Sequence, residues 1–228
     1  MTCSLSLRLA RCLSALVAMA ALAACGPTRT APTLAPSVPV AATGAAIATG
    51  PTSRAILAGG CFWCVESDFD KLPGVLSTTS GYTGGKTANP SYQEVSSNTT
   101  GHAEAVEIVF DPAKVSYAQL VEHFWRTIDP TTKDRQFCDV GSPYRSAIFA
   151  VDAEQLRIAQ ASRAALQKSK PFQAAIVTEV LPSDRFYPAE EYHQDYYRKN
   201  PVRYNYYRTG CGRDARLKQL WGDAAATH

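Results

Sequence analysis

Two thiols three positions apart stand behind a double glycine in the stretch Gly59-Gly60-Cys61-Phe62-Trp63-Cys64. That spacing suits half of a metal site, a dithiol that cycles to a disulfide, or one nucleophile with a bystander. Two buried cysteines of purely structural use are the remaining reading, and the commonest fate of the residue. A zinc site needs a second ligand pair, and Cys138, Cys211 and the histidines at 102, 123, 193 and 228 show no such spacing, so no metal is expected. A thiol–disulfide exchange pair fits the spacing, but such pairs usually enclose small residues or proline. Here two bulky aromatics, Phe62 and Trp63, imply an apolar group held beside Cys61.

The neighbouring segments present Cys61. "RAILAGG" is a short apolar run stopped by two glycines, a buried strand that turns sharply. "CFWCVESDFDKL" follows with apolar residues at Phe62, Val65, Phe69 and Leu72, a helical stripe. Cys61 then sits at a helix start, where free backbone N–H groups and the positive end of the dipole favour the reactive thiolate. The glycines let a substrate approach the backbone, and Cys64, a turn deeper, gains less. Further strands are expected in "GVLSTTSGYTGG", "HAEAVEIVF", "RSAIFAV" and "QAAIVTEVL". Ser116 caps a helix with Tyr117, Leu120, Val121, Phe124, Trp125 and Ile128 on one side, and Asp152 begins an exposed amphipathic one. "AEEYHQDYYRKN" reads as helix up to Pro201, and "RDARLKQLWG" as a last short helix. This order predicts an α+β fold, an α/β sandwich on a ferredoxin-like split β-α-β core, with extra helices and a coil-rich C-terminal tail. No internal repeat is present.

The 228 residues, 46% hydrophobic and 19% charged, suit one ordinary folded domain and exclude a disordered chain. A net charge of +3 without a basic run gives no reason to expect a nucleic-acid partner. Residues 1–24 read as a secretory leader: Arg8 and Arg11 precede the apolar "CLSALVAMAALAAC", which is too short for a comfortable membrane span. Leu22-Ala23-Ala24-Cys25 resembles the bacterial lipobox, which implies cleavage before Cys25 and lipidation of that cysteine. The alternative is an ordinary leader with a chance cysteine. Leaving out Arg8 and Arg11 reduces the 23 bases by two, to 21 against 20 acids, so acyl chains rather than charge would hold the protein to a membrane. Gly26, with no Asp after Cys25, favours by resemblance the outer membrane of a Gram-negative envelope, facing the periplasm. Residues 25–53, rich in Ala, Pro and Thr, suit a flexible tether; residues 54–222 form the domain and 223–228 a short tail. Cys61, Cys64, Cys138 and Cys211 are then left in a compartment that permits disulfides.

"GGCFWCVESDFDKLPGV" resembles the active-site segment of A-type peptide-methionine sulfoxide reductases, whose core is G-C-F-W. The likeness continues through "GYTGG", "NPSYQEV", "TGHAEAVEIVFDP", "YRSAIF" and "EEYHQDYYRKNP", covering most of residues 54–210 in family order. It implies that Cys61 attacks the sulfoxide sulfur and that Glu104 supplies the proton needed for the oxygen to leave. That role requires burial to keep a carboxyl protonated. Tyr92 and Tyr144 would hydrogen-bond the sulfoxide oxygen, Asp139 would help hold the site and bound water, and Phe62 and Trp63 would flank the methyl group. Taken singly, Glu104 reads as a solvated strand residue, and Tyr92 and Tyr144, two of eleven tyrosines, as packing. His102 and His193 lie within matched motifs and read as hydrogen-bonded structural histidines.

The family's chemistry turns the nucleophile into a sulfenic acid, which condenses with a second thiol. Cys211, in "TGCGRD", is the expected resolving cysteine, because the family commonly resolves from such a tail and flanking glycines imply mobility. Cys64, where many members have Gly, and Cys138 stay open as alternatives or relays. The resemblance thus implies reduction of methionine-S-sulfoxide, free or in oxidised envelope proteins, by a monomer with no tightly bound cofactor. An external dithiol, thioredoxin or thioredoxin-like, would reopen the disulfide. The competing readings are a general thiol–disulfide oxidoreductase using Cys61 and Cys64, and a non-enzymatic lipoprotein binding Met-rich partners.

Overall fold

Alternating apolar residues build the centre of the molecule. The computed structural model describes residues 51–226; residues 1–50, with the leader, Cys25 and nearly all of the tether, lie outside the described residues. The elements run β1 (Ser53–Gly59), α1 (Phe62–Phe69), β2 (Val75–Thr83), α2 (Tyr92–Ser96), β3 (Ala103–Phe110) and α3 (Tyr117–Thr127). A two-stranded hairpin follows, β4 (Arg135–Gln136) with β5 (Asp139–Val140), then β6 (Ser146–Ala150) and α4 (Ala153–Ser169). The chain ends with β7 (Glu179–Pro182), β8 (Tyr187–Pro188), α5 (Tyr196–Lys199), α6 (Pro201–Gly210) and α7 (Arg213–Trp221).

The six-stranded sheet has the order β7-β6-β1-β3-β2-β8, antiparallel except between β6 and β7. Its inner four strands, β6-β1-β3-β2, with α1 and α3 as crossovers, are the split β-α-β core expected. Ala55 and Leu57 of β1 and Val106, Ile108 and Phe110 of β3 meet Val65 and Phe69 of α1 and Leu120, Phe124 and Trp125 of α3 in one buried cluster. Residues of opposite parity, Ile56, Ala58, Ala103, Ala105, Ala147 and Phe149, form a smaller cluster on the other face. Glu104 has the parity of Val106 and Ile108, so the strand period aims it towards α1. The caps read from the sequence are present: Ser116 and Gln119 form a capping box on α3, and the Asp152 side chain accepts from Gln155 N–H at 2.7 Å.

Three expectations are corrected. The helix expected to run unbroken to Asn200 stops at one 3-10 turn, Glu191–His193, and restarts at Tyr196 after Asp195 takes φ +52°. Gln194 causes the break, because its amide is anchored to Ser80 N, Ser80 O and Ala189 O. The strand expected over "QAAIVTEVL" shortens to β7, since Ile176 is drawn into the core and Val177 N–H bonds Pro130 O instead. The coil-rich tail is helical: α6 and α7 bury Tyr204, Arg208, Arg213, Leu217 and Trp221. Gly212, at φ +67°, is the corner between them, a conformation that favours glycine.

Candidate active site

β1 delivers the chain to Gly59, Gly60 turns it at φ +85°, and Cys61 stands as the residue before the first turn of α1. A Cβ on Gly60 would lie 2.5 Å from Gln136 Cβ, so the turn is closed to larger residues. Across the sheet face, the Glu104 carboxylate oxygen Oε2 accepts from Phe62 N–H at 3.0 Å, one of the donors left free at the helix start. That bond fixes the carboxyl beside Cys61. Both side chains open onto a chamber of about 70 Å³ that Phe62, Trp63, Tyr92, Asp139 and Tyr144 also line. A water molecule's share of the liquid is about 30 Å³, so the chamber admits a group of a few heavy atoms.

These residues come from five separate segments, and the structure brings every residue expected at the reacting centre except Cys211 to this one chamber. Tyr207 of α6 joins them unforeseen, its hydroxyl donating to Asp139 Oδ2. One signal for it was available: Tyr207 lies one helical turn before Cys211. Trp63 is locked from two sides, stacked on Tyr196 with centroids 3.7 Å apart and donating from Nε1 to His193 Nδ1 at 3.0 Å. Burial pushes the pKa of His193 down, so the ring is neutral and accepts at Nδ1. His102 serves structure: its Nδ1 accepts from Gly85 N–H and its Nε2 bonds Thr87 O, which holds the glycine loop after β2.

Burial dominates the electrostatics of the chamber. Burial raises the Glu104 carboxyl to about 8, although the Phe62 N–H pulls the other way, so it is protonated at neutral pH. Burial also raises Tyr92 and Tyr144, which stay phenols able to donate. Asp139 is raised by burial and partly restored by the Tyr207 hydroxyl. Burial pushes the Cys61 thiol well up, and its hydrogen bond to Cys64 and the nearby Glu104 and Asp139 act in the same direction. This corrects the expectation that the helix start would make Cys61 the thiolate. Cys64 is lowered instead, first by that hydrogen bond from Cys61 and then by the guanidinium groups of Arg213 and Arg208.

The two arginines belong to a buried cluster under α1. Arg208 pairs with Asp68 at 2.8 Å and reaches Tyr204 Oη and Asp214. Arg213 lies 3.6 Å from Asp68, bonds Gly59 O and Thr127 O, and covers the Phe137 ring at 4.5 Å. Such pairing is what allows buried charge at all. Cys211 is not free at the end of a mobile segment. It is bonded to Cys138, with Cα atoms 4.8 Å apart, while Cys61 and Cys64 are the free, buried pair. Cys211 therefore has no thiol to offer Cys61 in this state, because α6 and α7 pin its corner against the loop that carries Asp139. Among the described residues, the cluster of three possible metal ligands is Cys138, Asp139 and Cys211, and its two sulfurs are tied up in that disulfide.

A sequence profile described as peptide methionine sulfoxide reductase matches residues 53–225. The peptide methionine sulfoxide reductase MsrA 2 of Caulobacter vibrioides is 50% identical over 181 residues, 79% of this chain and 91% of its own. MsrA of Bacillus licheniformis is 52% identical over 168 residues, 74% of this chain and 93% of its own. Among solved structures, methionine sulfoxide reductase A of Corynebacterium diphtheriae superposes with a TM-score of 0.61 at 36% identity, over 66% of this chain and 76% of that one. Mxr1 from Saccharomyces cerevisiae in reduced form gives 0.63 at 31% identity, over 66% and 87%.

Proposed function

The chain belongs to the peptide methionine sulfoxide reductase family as an A-type enzyme, and from that premise we propose how its residues return methionine-S-sulfoxide, free or in oxidised polypeptides, to methionine. The observation that carries the reading is a neutral, buried Glu104 sharing a chamber of about 70 Å³ with Cys61. The substrate methyl group lies against Phe62 and Trp63, and its oxygen meets the Glu104 carboxyl and the Tyr92 and Tyr144 hydroxyls. Glu104 gives its proton to that oxygen as the Cys61 sulfur bonds the substrate sulfur, and the Cys61 proton passes to the carboxylate so formed. The hydroxyl then passes to the Cys61 sulfur as the substrate sulfur's bonds to oxygen and to Cys61 break, and the thioether leaves with Cys61 as a sulfenic acid.

Cys64 then attacks that sulfur, a disulfide forms between Cys61 and Cys64, and the oxygen departs as water. Cys64 takes this step because it is the free thiol bonded to Cys61, whereas Cys211 is held by Cys138. Reopening the disulfide takes two electrons from an external dithiol of the thioredoxin type. With Cys61 and Cys64 buried and Cys138 exposed, a protein-sized dithiol reaches the Cys138–Cys211 couple first, and Cys211 serves recycling there. No tightly bound cofactor is required. Incubation with the separate R and S sulfoxides of methionine plus dithiothreitol checks the reading. The expected result is loss of the S epimer alone, reduced at least about 1000-fold in Cys61→Ser. Equal loss of both epimers, an unaffected variant, or disulfide exchange without loss of sulfoxide overturns it.

The sequence of the leader supports the rest of the proposal: lipid on Cys25 and the tether hold a monomer at the outer membrane, facing the periplasm, where it repairs oxidised envelope proteins. No helix among the described residues is long and apolar enough to cross a membrane. Cys25→Ser is expected to move the protein from the detergent phase to the aqueous phase in a phase-partition assay. Equal partition of both forms refutes the anchor.

A further inference from the structure

The chamber around Cys61 opens beside a larger hollow of about 890 Å³, and Trp63, Tyr92 and Tyr207 line both. The chamber takes little more than a methyl group and the S–O unit. The remainder of any methionine-bearing substrate must lie in the outer hollow, whose size is that of a ligand groove. Its floor is rigid, because Tyr196 is stacked on Trp63. Its far wall is apolar and open: Tyr192 is 55%, Val202 82% and Tyr206 84% exposed. Only Leu76 and Val140 are comparably exposed large apolar residues among those described, so three of five gather at this mouth. Such concentration marks a contact surface, whereas scattered exposed apolar residues need no explanation.

We propose that this groove seats an extended polypeptide segment and selects apolar or aromatic side chains next to the methionine sulfoxide. The inference rests on the reductase reading of Cys61 and names the substrate class that site prefers. Continuity carries it, because the groove begins where the reacting chamber ends and its apolar residues lie where neighbouring side chains of a bound chain must fall. Free methionine sulfoxide fills the chamber and leaves the wall of Val202 and Tyr206 wet, so only chain-borne substrate gains from burying that wall.

The test uses short blocked peptides with a central methionine-S-sulfoxide flanked by Leu and Phe or by Gly and Ser, together with free methionine-S-sulfoxide. Dithiothreitol is the reductant, with a parallel series driven by a thioredoxin-type protein. For the unsubstituted protein, kcat/KM for the apolar-flanked peptide is expected to exceed that for the Gly/Ser peptide about tenfold, roughly 1.4 kcal/mol. Val202→Ser with Tyr206→Ser should abolish the preference through KM, leaving kcat and free methionine-S-sulfoxide unchanged. Both positions are exposed, and an unchanged melting curve will show the fold intact. A preference that survives the double variant, or that is absent from the unsubstituted protein, overturns the proposal. It is also overturned if the variant loses only turnover driven by a thioredoxin-type protein, which would make the groove the reductant's seat. Failure to reduce free methionine-S-sulfoxide would instead sink the reductase reading on which the proposal stands.

Discussion

Glu104→Gln is expected to lower kcat for methionine-S-sulfoxide by about 10²- to 10⁴-fold, the usual worth of a positioned general acid. The amide keeps the acceptor for Phe62 N–H, so the start of α1 stays fixed and the loss reports proton supply alone. The pH profile gives a second readout. A carboxyl raised to about 8 is protonated below that pH, so the native rate should fall as pH rises through about 8, and the variant should show no such fall from this group. Stability follows the same sign. Because the folded value lies above the ordinary 4.5, the contribution of this group is fully present below that value and is lost as pH rises to about 8. Urea titrations across that window should slope in the native protein and flatten in Glu104→Gln. A native rate that holds well above pH 8, or a variant at native speed, would remove Glu104 from the acid's role.

Cys64→Ser is expected to separate oxygen transfer from recycling. The variant should release close to one equivalent of methionine per chain and then stall with Cys61 as a sulfenic acid, detectable by a carbon-acid probe. Steady turnover with a thioredoxin-type protein should drop by about 100-fold or more. Cys211→Ser should leave the first equivalent and the Cys61–Cys64 disulfide intact while slowing only the protein-driven cycle. A Cys64→Ser variant that turns over at native rate, with mass spectrometry locating a Cys61–Cys211 bond, would restore Cys211 as the direct partner.

The architecture was legible where one period dominates. The alternation in β1 and β3 and the stripe behind Ser116 each bury one face, and the observed core uses the same residues. The segment after Ala189 was not legible, because its course is set by the Gln194 amide bonding Ser80 more than a hundred positions away. No propensity scale carries such a bond. The chamber residues have no common spacing, so their gathering could be inferred only from likeness to a family. Two features lay beyond that likeness. Glycines beside Cys211 suggest mobility when read locally, yet Gly212 is a corner whose helices are anchored by Arg208 and Arg213. The same long-range anchoring brings Arg208 and Arg213 near Cys64 and lowers it, whereas burial raises Cys61 against the pull of the α1 dipole.

Arg213 comes from the last helix yet grips the carbonyl of Gly59, at the end of the first strand. A fragment cut ahead of Gly212 would keep all eight side chains that line the chamber and still be a poorer catalyst. Its two sulfurs would share their proton with one cation fewer, and the glycine elbow would lose its clamp. The last helix thus finishes a turn that the first strand begins, and a chain still short of it lacks that clamp.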